Sequence, residues 1–510
     1  MEKDETQSLS LTEMVRVNGS PAEASLAADG ELRWRGEDGV RCLALEPEVL
    51  GIEVEGRRLT VKAFQVDTKG VSCGGGGGGG KSVRKDYVFE MSTEDSAIRW
   101  SERLKDCINF LDRPKRLFII VNPFGGKRCA RKIFETEIKP LLEAAGVLFT
   151  VQETEYQLHA QEIAYSMDVI KYDGIVCISG DGILVEVVNG LLRRGDWVTA
   201  IKVPLGIIPA GTGNGMAKSL LDSIDSIYSV SNAAFSILRG HRRPLDVASV
   251  VQGETKFFSV LMLTWGLVAD IDIESERYRW MGSIRLDFYY AGGLTTEATI
   301  EVFIHSLLRI MNLRKYSGHV QFVPAPGYEE YGEAIKQVDS PNGKTAFSEE
   351  GRGNNIKAQS HAYQGPLIEF EGSAWRSLDG PFISVWINNV PWVSEDAKLA
   401  PEAKFSDGYL DAVIIRECPK LALLSLMLKM SDGSYVKSPY VTYLKVKAFR
   451  LEPGQRVGST NKGGIIDSDG EVIARGDGCH GGNQQGNLMA YGPPIQMTVD
   501  QGLATIFSPR

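Results

Sequence analysis

The chain has 510 residues, 43% of them hydrophobic and 24% charged, with a formal net charge of -9. That length holds roughly two to four domains, and the acidic balance excludes a globally basic binder of nucleic acid or anionic membrane, so any anion site is local. No basic and apolar leader opens the chain, no apolar run reaches the ~18 residues of a spanning helix, and seven scattered cysteines without metal spacing read as reduced thiols, which together point to the cytosol.

Residues 1–28 are polar and rich in Ser, Glu and Ala, the composition of a disordered lead. From 29 to 111 short alternating segments, among them Gly51-Ile52-Glu53-Val54 and Leu59-Thr60-Val61-Lys62, predict strands. Ser92 and Glu94 then predict the start of a helix through Trp100 to Leu111. This pattern fits a pleckstrin-homology-like module or a plain β-rich extension. The run Gly74 to Gly80 reads as a flexible loop, and its formal match to a P-loop with Lys81 and Ser82 is trivial, because no apolar strand precedes it.

The pattern changes at Arg116. Leu117 to Val121 is an unbroken apolar run, as in a parallel strand covered on both faces, and strands and helices alternate from there to about residue 242. A doubly wound α/β domain over 112–242 is predicted, with its ligand beyond the carboxyl ends of the strands. From 243 to 510 most elements read as strands joined by loops, with apolar helices at Ile300–Leu313 and Leu421–Met430. Residues 324–366 read as a long surface loop.

Three glycine-bearing strand ends fall on one edge of the α/β domain: Asn122-Pro123-Phe124-Gly125-Gly126-Lys127, Ser179-Gly180-Asp181-Gly182 and Pro209-Ala210-Gly211-Thr212-Gly213-Asn214. Glycines before helix N-termini let backbone N–H groups face phosphate oxygens. Asp181 can orient or deprotonate an attacking hydroxyl. Each loop alone is also an ordinary turn; three on one edge favour a nucleotide site. Further on, Asp270 and Asp272 lie in a charged run that includes Arg279 and Arg285, fitting either a lipid ammonium with phosphate contacts or a solvated helix start. Asp469-Gly470-Glu471 sits in an acidic turn that reads equally as a hairpin tip. The six histidines form no metal constellation.

The ordered set VNPFGGK, TEYQLHA, SGDGILVEVVNGL, LGIIPAGTGN, LTWGLVADIDIESERYR and DSDGEVIARG resembles the sphingosine kinase family, within the diacylglycerol-kinase-like lipid kinases, from about Lys115 onward. The resemblance implies a phosphofructokinase-like kinase domain followed by a β-sandwich lipid-binding domain. It also implies transfer of the ATP γ-phosphate, with Mg2+, to the primary hydroxyl of a sphingoid base. Rivals are ceramide or diacylglycerol kinase activity and a lipid-sensing scaffold without turnover.

Carried over by motif, Asp181 is the base, while Ser179, Gly180 and Gly182 shape the crossing of the two substrates and Asp272 pairs with the lipid ammonium. The nucleotide falls to Asn122 through Lys127, to Thr154, Glu155, Tyr156, Gln157 and Leu158, and to Ser179, Glu186 and Gly211-Thr212-Gly213. Arg279, Arg285 and Asp469-Gly470-Glu471 complete that set. Peripheral contact with intracellular membranes is implied, with no nucleic-acid partner and with oligomerisation left open. Phe124 and Val185 stand where relatives often carry a basic residue and a histidine, and Ala291 to Ser306 reads as extra sequence.

Overall fold

The computed structural model describes residues 11–27, 30–37, 39–66, 82–126, 128–270, 310, 312–335, 362–366, 375–477 and 488–509. The poly-glycine run, Lys127, the segment from Ile271 through Arg285 and the helix expected near 300 therefore lie outside the described residues, apart from the last residues of that helix.

The disordered lead expected over 1–28 is corrected over its second half. Leu11–Val17 (β1) and Ser20–Leu26 (β2) form an antiparallel hairpin in full register. Its turn is Asn18-Gly19, both at positive φ, the pair that matches the twist of a two-residue hairpin. Alternation in Met14-Val15-Arg16-Val17, ahead of that Asn-Gly, was the available signal. Five more strands follow: Glu31–Gly36 (β3), Gly39–Ala44 (β4), Val49–Glu55 (β5), Arg58–Val66 (β6) and Ser82–Glu90 (β7). The sheet order is β4-β3-β2-β1-β7-β6-β5. The helix Glu94–Asn109 (α1) buries Ala97, Trp100 and Leu104 against it, and its cap is Thr93, whose hydroxyl accepts from Ser96 N–H. Ser92 instead donates to Glu13.

This extension is fastened to the α/β domain. Arg113 donates to four carbonyls, of Leu45, Glu46, Val49 and Leu50, while Glu46 receives Arg239 at 3.0 Å and His241 at 2.6 Å. Leu50 and Phe64 are buried in the same apolar cluster as Phe134, Leu142 and Phe235 of that domain.

The α/β domain is built on a parallel sheet of Arg116–Val121 (β8), Leu148–Glu153 (β9), Gly174–Ser179 (β10) and Leu205–Pro209 (β11), in the order β9-β8-β10-β11. Every residue of β10 and β11 is buried, as expected for strands covered by helices on both faces. The helices that position the site are His159–Ser166 (α2), Asp181–Leu192 (α3), Gly215–Asp222 (α4) and Val230–Arg239 (α5).

The second half carries Arg242–Gln252 (β12), Thr255–Ser259 (β13), Met262–Gly266 (β14), Tyr316–Pro324 (β15), Glu333–Ala334 (β16), Arg376–Asp379 (β17), Ser384–Asn388 (β18) and Leu410–Ile415 (β19). After the helix Lys420–Leu428 (α6) come Thr442–Arg456 (β20), Lys462–Ser468 (β21), Glu471–Asp477 (β22) and Ile495–Phe507 (β23). These strands enclose a core containing Trp265, Tyr316, Phe322, Phe382 and Phe449. No helix among the described residues is long and apolar enough to cross a membrane.

The expected boundary at 242/243 is crossed by β23. It pairs antiparallel with β12 from Gln496 to Phe507 and with β20 at its start, and near its far end Ile506 also pairs parallel with Leu205 of β11. Gly502, at φ 59, allows the irregularity that lets one strand serve both halves. Of the loop expected over 324–366, the start contributes to β15 and β16, and Tyr363 packs on Trp197 and Phe258.

Candidate active site

Gly126, Gly180 and Gly211 bring three loops together backbone on backbone. A Cβ on Gly126 would lie 2.7 Å from the Gly211 carbonyl carbon, and one on Gly180 would lie 3.0 Å from Gly213 O. A Cβ on Gly211 would collide with the Gly180 Cα. Asn214 clasps its own loop, accepting from Gly211 N–H and donating to Gly211 O, both at 3.1 Å. Asn122 does the same for the first loop through Phe124 N–H at 3.0 Å, and it also accepts from the Thr154 hydroxyl at 3.3 Å.

These loops line a cleft of about 540 Å³. Its polar side carries Asn122, Gly125, Gly126, Thr154, Glu155, Tyr156, Gln157, Glu186 and Gly211 to Gly213. Asp181 lies between Gly180 and Gly182, and Asp469, Gly470 and Glu471 face it from the second half of the chain. Its apolar side carries Leu261, Met262, Val268, Val393, Ala397 and Leu399. Phe124 also lines the cleft, with its ring exposed. Ser179, Pro123 and Leu158 are not among the lining residues: the buried Ser179 hydroxyl donates to Gly180 O at 2.6 Å. Leu158, at φ 66, precedes the α2 helix.

Asp181 is the first residue of α3 and is buried. Its Oδ2 accepts Gly215 N–H at 2.6 Å and its Oδ1 accepts Met216 N–H at 3.2 Å, the opening amides of α4. Burial raises its pKa from 3.8 to about 7, against the pull of those two amides and with a further push from Asp469. Asp469 is itself buried and raised to about 6 by burial. Its Oδ1 accepts from the Ser259 hydroxyl and from Leu261 and Met262 N–H, between 2.8 and 3.0 Å, which pins the link between β13 and β14. The Asp469-Gly470 pair, both at positive φ, is the tip of the β21–β22 hairpin. The acidic turn is thus both a hairpin tip and a wall of the cleft.

Glu186 accepts Ala160 N–H at 3.1 Å, fixing the start of α2 and the 154–157 wall beside it. Burial raises its pKa. Tyr156 stacks on His159 at 4.4 Å. Asp270, paired with Asp272 in the sequence reading as an ammonium ligand, is placed otherwise. It is buried, accepts from the Tyr316 hydroxyl at 2.6 Å and faces Arg314 at 3.3 Å, so it anchors its segment in the sandwich core. Asp272, Arg279, Arg285 and Lys127 lie outside the described residues.

Sequence reasoning missed Asn214 and the apolar wall from 393–399. Asn214 closes the third motif, where an Asx clasp was legible; Val393, Ala397 and Leu399 follow no periodicity and reach the cleft from about 180 residues downstream of the third loop.

The cleft's five described carboxyl side chains, Glu155, Asp181, Glu186, Asp469 and Glu471, face no described Lys or Arg on its lining.

Residues 116–250 match the diacylglycerol kinase catalytic domain family, and residues 366–478 match the YegS C-terminal NAD kinase beta sandwich-like domain family. The chain is 52% identical to sphingosine kinase 2 of Arabidopsis thaliana over 98% of this chain and 97% of that protein. It is 51% identical to sphingosine kinase 1 of the same plant over 100% and 99%. With human sphingosine kinase 1 the identity is 32% over 71% of this chain and 87% of that one. A glycine-lined cleft between a kinase domain and a sandwich, together with relatives that match it almost end to end, places this chain in the sphingosine kinase family.

Proposed function

We propose that the chain is an ATP-dependent lipid kinase that phosphorylates the primary hydroxyl of sphingoid long-chain bases. The observation that carries this reading is Asp181, buried where the glycine loops meet the apolar wall of one cleft. ATP supplies the phosphoryl group, and Mg2+ would offset the charge of its phosphates. The glycine loops give backbone N–H groups close access to phosphate oxygens. Lys127, Arg279 and Arg285 are proposed as the basic partners, with Asp469, Gly470 and Glu471 walling the nucleotide from the second half of the chain.

The base's alkyl chain lies along Leu261, Met262, Val268, Val393, Ala397 and Leu399, with Asp272 proposed for the ammonium. Asp181 then accepts the hydroxyl proton. Its pKa near 7 suits a general base, ionised above neutrality yet basic enough to take a proton as the oxygen commits. Phosphoryl transfer asks for alignment more than for deep deprotonation, and the α4 amides hold both carboxylate oxygens. Contact with membranes is proposed as peripheral, in keeping with an amphiphilic substrate.

The test is a phosphorylation assay with γ-labelled ATP over sphingosine, phytosphingosine, ceramide and diacylglycerol. Label in the free bases is expected. Label confined to ceramide or diacylglycerol would sink the assignment, since neither carries an ammonium for Asp272.

A further inference from the structure

The clamp on Asp181 is itself held from the other half of the chain. Between β18 and β19, residues 390–399 leave the sandwich and run along α4. Trp392 N–H donates to the Ser219 hydroxyl at 3.0 Å, and its indole Nε1–H donates to Asp222 Oδ2 at 2.9 Å. Lys398 reaches the same oxygen at 3.1 Å. The Nζ atoms of Lys218 and Lys398 lie 4.4 and 5.3 Å from the indole centroid, positions that favour cation–π attraction. At the opposite end of α4, a Cβ on Gly215 would collide with Trp392 O, so the segment lies directly against the helix backbone. Gly215, Ser219 and Asp222 are four and three residues apart and form one stripe facing it.

We infer that Trp392 is a positioning residue for phosphoryl transfer, fixing α4 so that its first two amides hold the Asp181 carboxylate at the reacting hydroxyl. The inference rests on the reading of Asp181 as the base. An eight-residue helix has little stability of its own, so its placement comes from what packs on it. Met216, Ala217 and Leu220 seat one face of it in the α/β core, and the other face is held by the segment whose Val393, Ser394, Ala397 and Leu399 also wall the cleft. Filling of the apolar wall and alignment of the base are thereby mechanically linked. Besides its bonds from the α4 amides, Asp181 is faced by two titratable groups, Asp469 on the hairpin tip and Tyr228 ahead of α5. Neither bonds to Trp392.

The experiment compares Trp392→Phe, which keeps a ring but removes the indole donor, with Asp222→Asn, Ser219→Ala and Asp181→Asn in the full chain. Thermal unfolding identifies the folded variants, and Ser219→Ala carries the test if the other two unfold. A misplacement of the base predicts kcat down by roughly 10-fold with KM for ATP within about twofold. Looser amide bonds also favour the protonated carboxyl, so the acid limb of the kcat profile should move to higher pH by about half a unit or more. An unchanged limb, with or without a fall in kcat, overturns the inference, because loss of folded molecules lowers rate without moving a titration. If Asp181→Asn keeps its activity, the catalytic reading fails instead, and that result is separate from the first.

Discussion

Replacing Asp181 with asparagine changes a charge and almost no volume, and its consequences can be worked out. Folding raises this carboxyl from 3.8 to about 7. A group raised on folding stabilises the protein fully below its unfolded pKa and loses that contribution as pH climbs through its folded pKa. At about 1.4 kcal/mol per unit, the rise of roughly 3 units costs about 4 kcal/mol at pH 8 and about 2 kcal/mol at pH 5. Asparagine never ionises and escapes this cost, but its NH2 cannot accept from the second α4 amide, a loss of about 1–3 kcal/mol at either pH. The variant should therefore melt higher relative to wild type at pH 8 than at pH 5, by a few degrees. Its kcat should fall by about 100-fold or more, as loss of a general base does, while ATP affinity is kept. Scanning fluorimetry at both pH values, steady-state kinetics and nucleotide titration measure all three. An equal melting difference at pH 5 and pH 8 would refute the buried, proton-retaining carboxyl; wild-type kcat would remove Asp181 from the chemistry.

Other substitutions follow the same reasoning. Gly211→Ala drives a methyl into Gly180, so the loops must separate; KM for ATP should rise and the melting temperature fall, with a cost of about 1–3 kcal/mol. Asp270→Ala removes the acceptor of the buried Tyr316 hydroxyl and should cost about 1–3 kcal/mol of stability in denaturant titration. Asp272→Ala should raise KM for sphingosine by roughly 10–100-fold with KM for ATP unchanged, as loss of an ionic hydrogen bond of ~2–3 kcal/mol would; an unaltered lipid KM would remove it from ammonium recognition. Phe64→Ala, in the extension, should destabilise the kinase domain by about 3 kcal/mol, because its ring packs 4.7 Å from Phe235; a purely detachable targeting module would leave kinase melting untouched.

The parallel strands and the three glycine loops were legible in the sequence because each is local. A fully buried strand writes itself as a run of apolar residues, and close backbone approach writes itself as glycine. Asp181 was legible for the same reason, sitting between two glycines at a strand end. The partner that holds it was not, since Gly215 and Met216 act through backbone N–H groups that any residue except proline would supply. The hairpin at 11–26 is masked by overall polarity, which outweighs a short alternation even though Asn18-Gly19 marks its turn. Asp270 and Asp272 look equivalent in a charged run. Burial against Tyr316 gives Asp270 a structural role, and burial depends on strands far away in sequence. The Trp392 contact with α4 joins residues 170 or more positions apart and leaves no periodic trace.

The closing of the parallel sheet by β23 bears on how the protein is made. Gly174, at the start of β10, leaves room for the Phe507 ring, and Leu205 waits for Ile506. Domains emerging from the ribosome generally fold in order, amino end first. Here the β11 edge gains its pairing with Ile506 only after almost 300 further residues have been synthesised, so the nucleotide half carries an open sheet edge for most of its time on the ribosome.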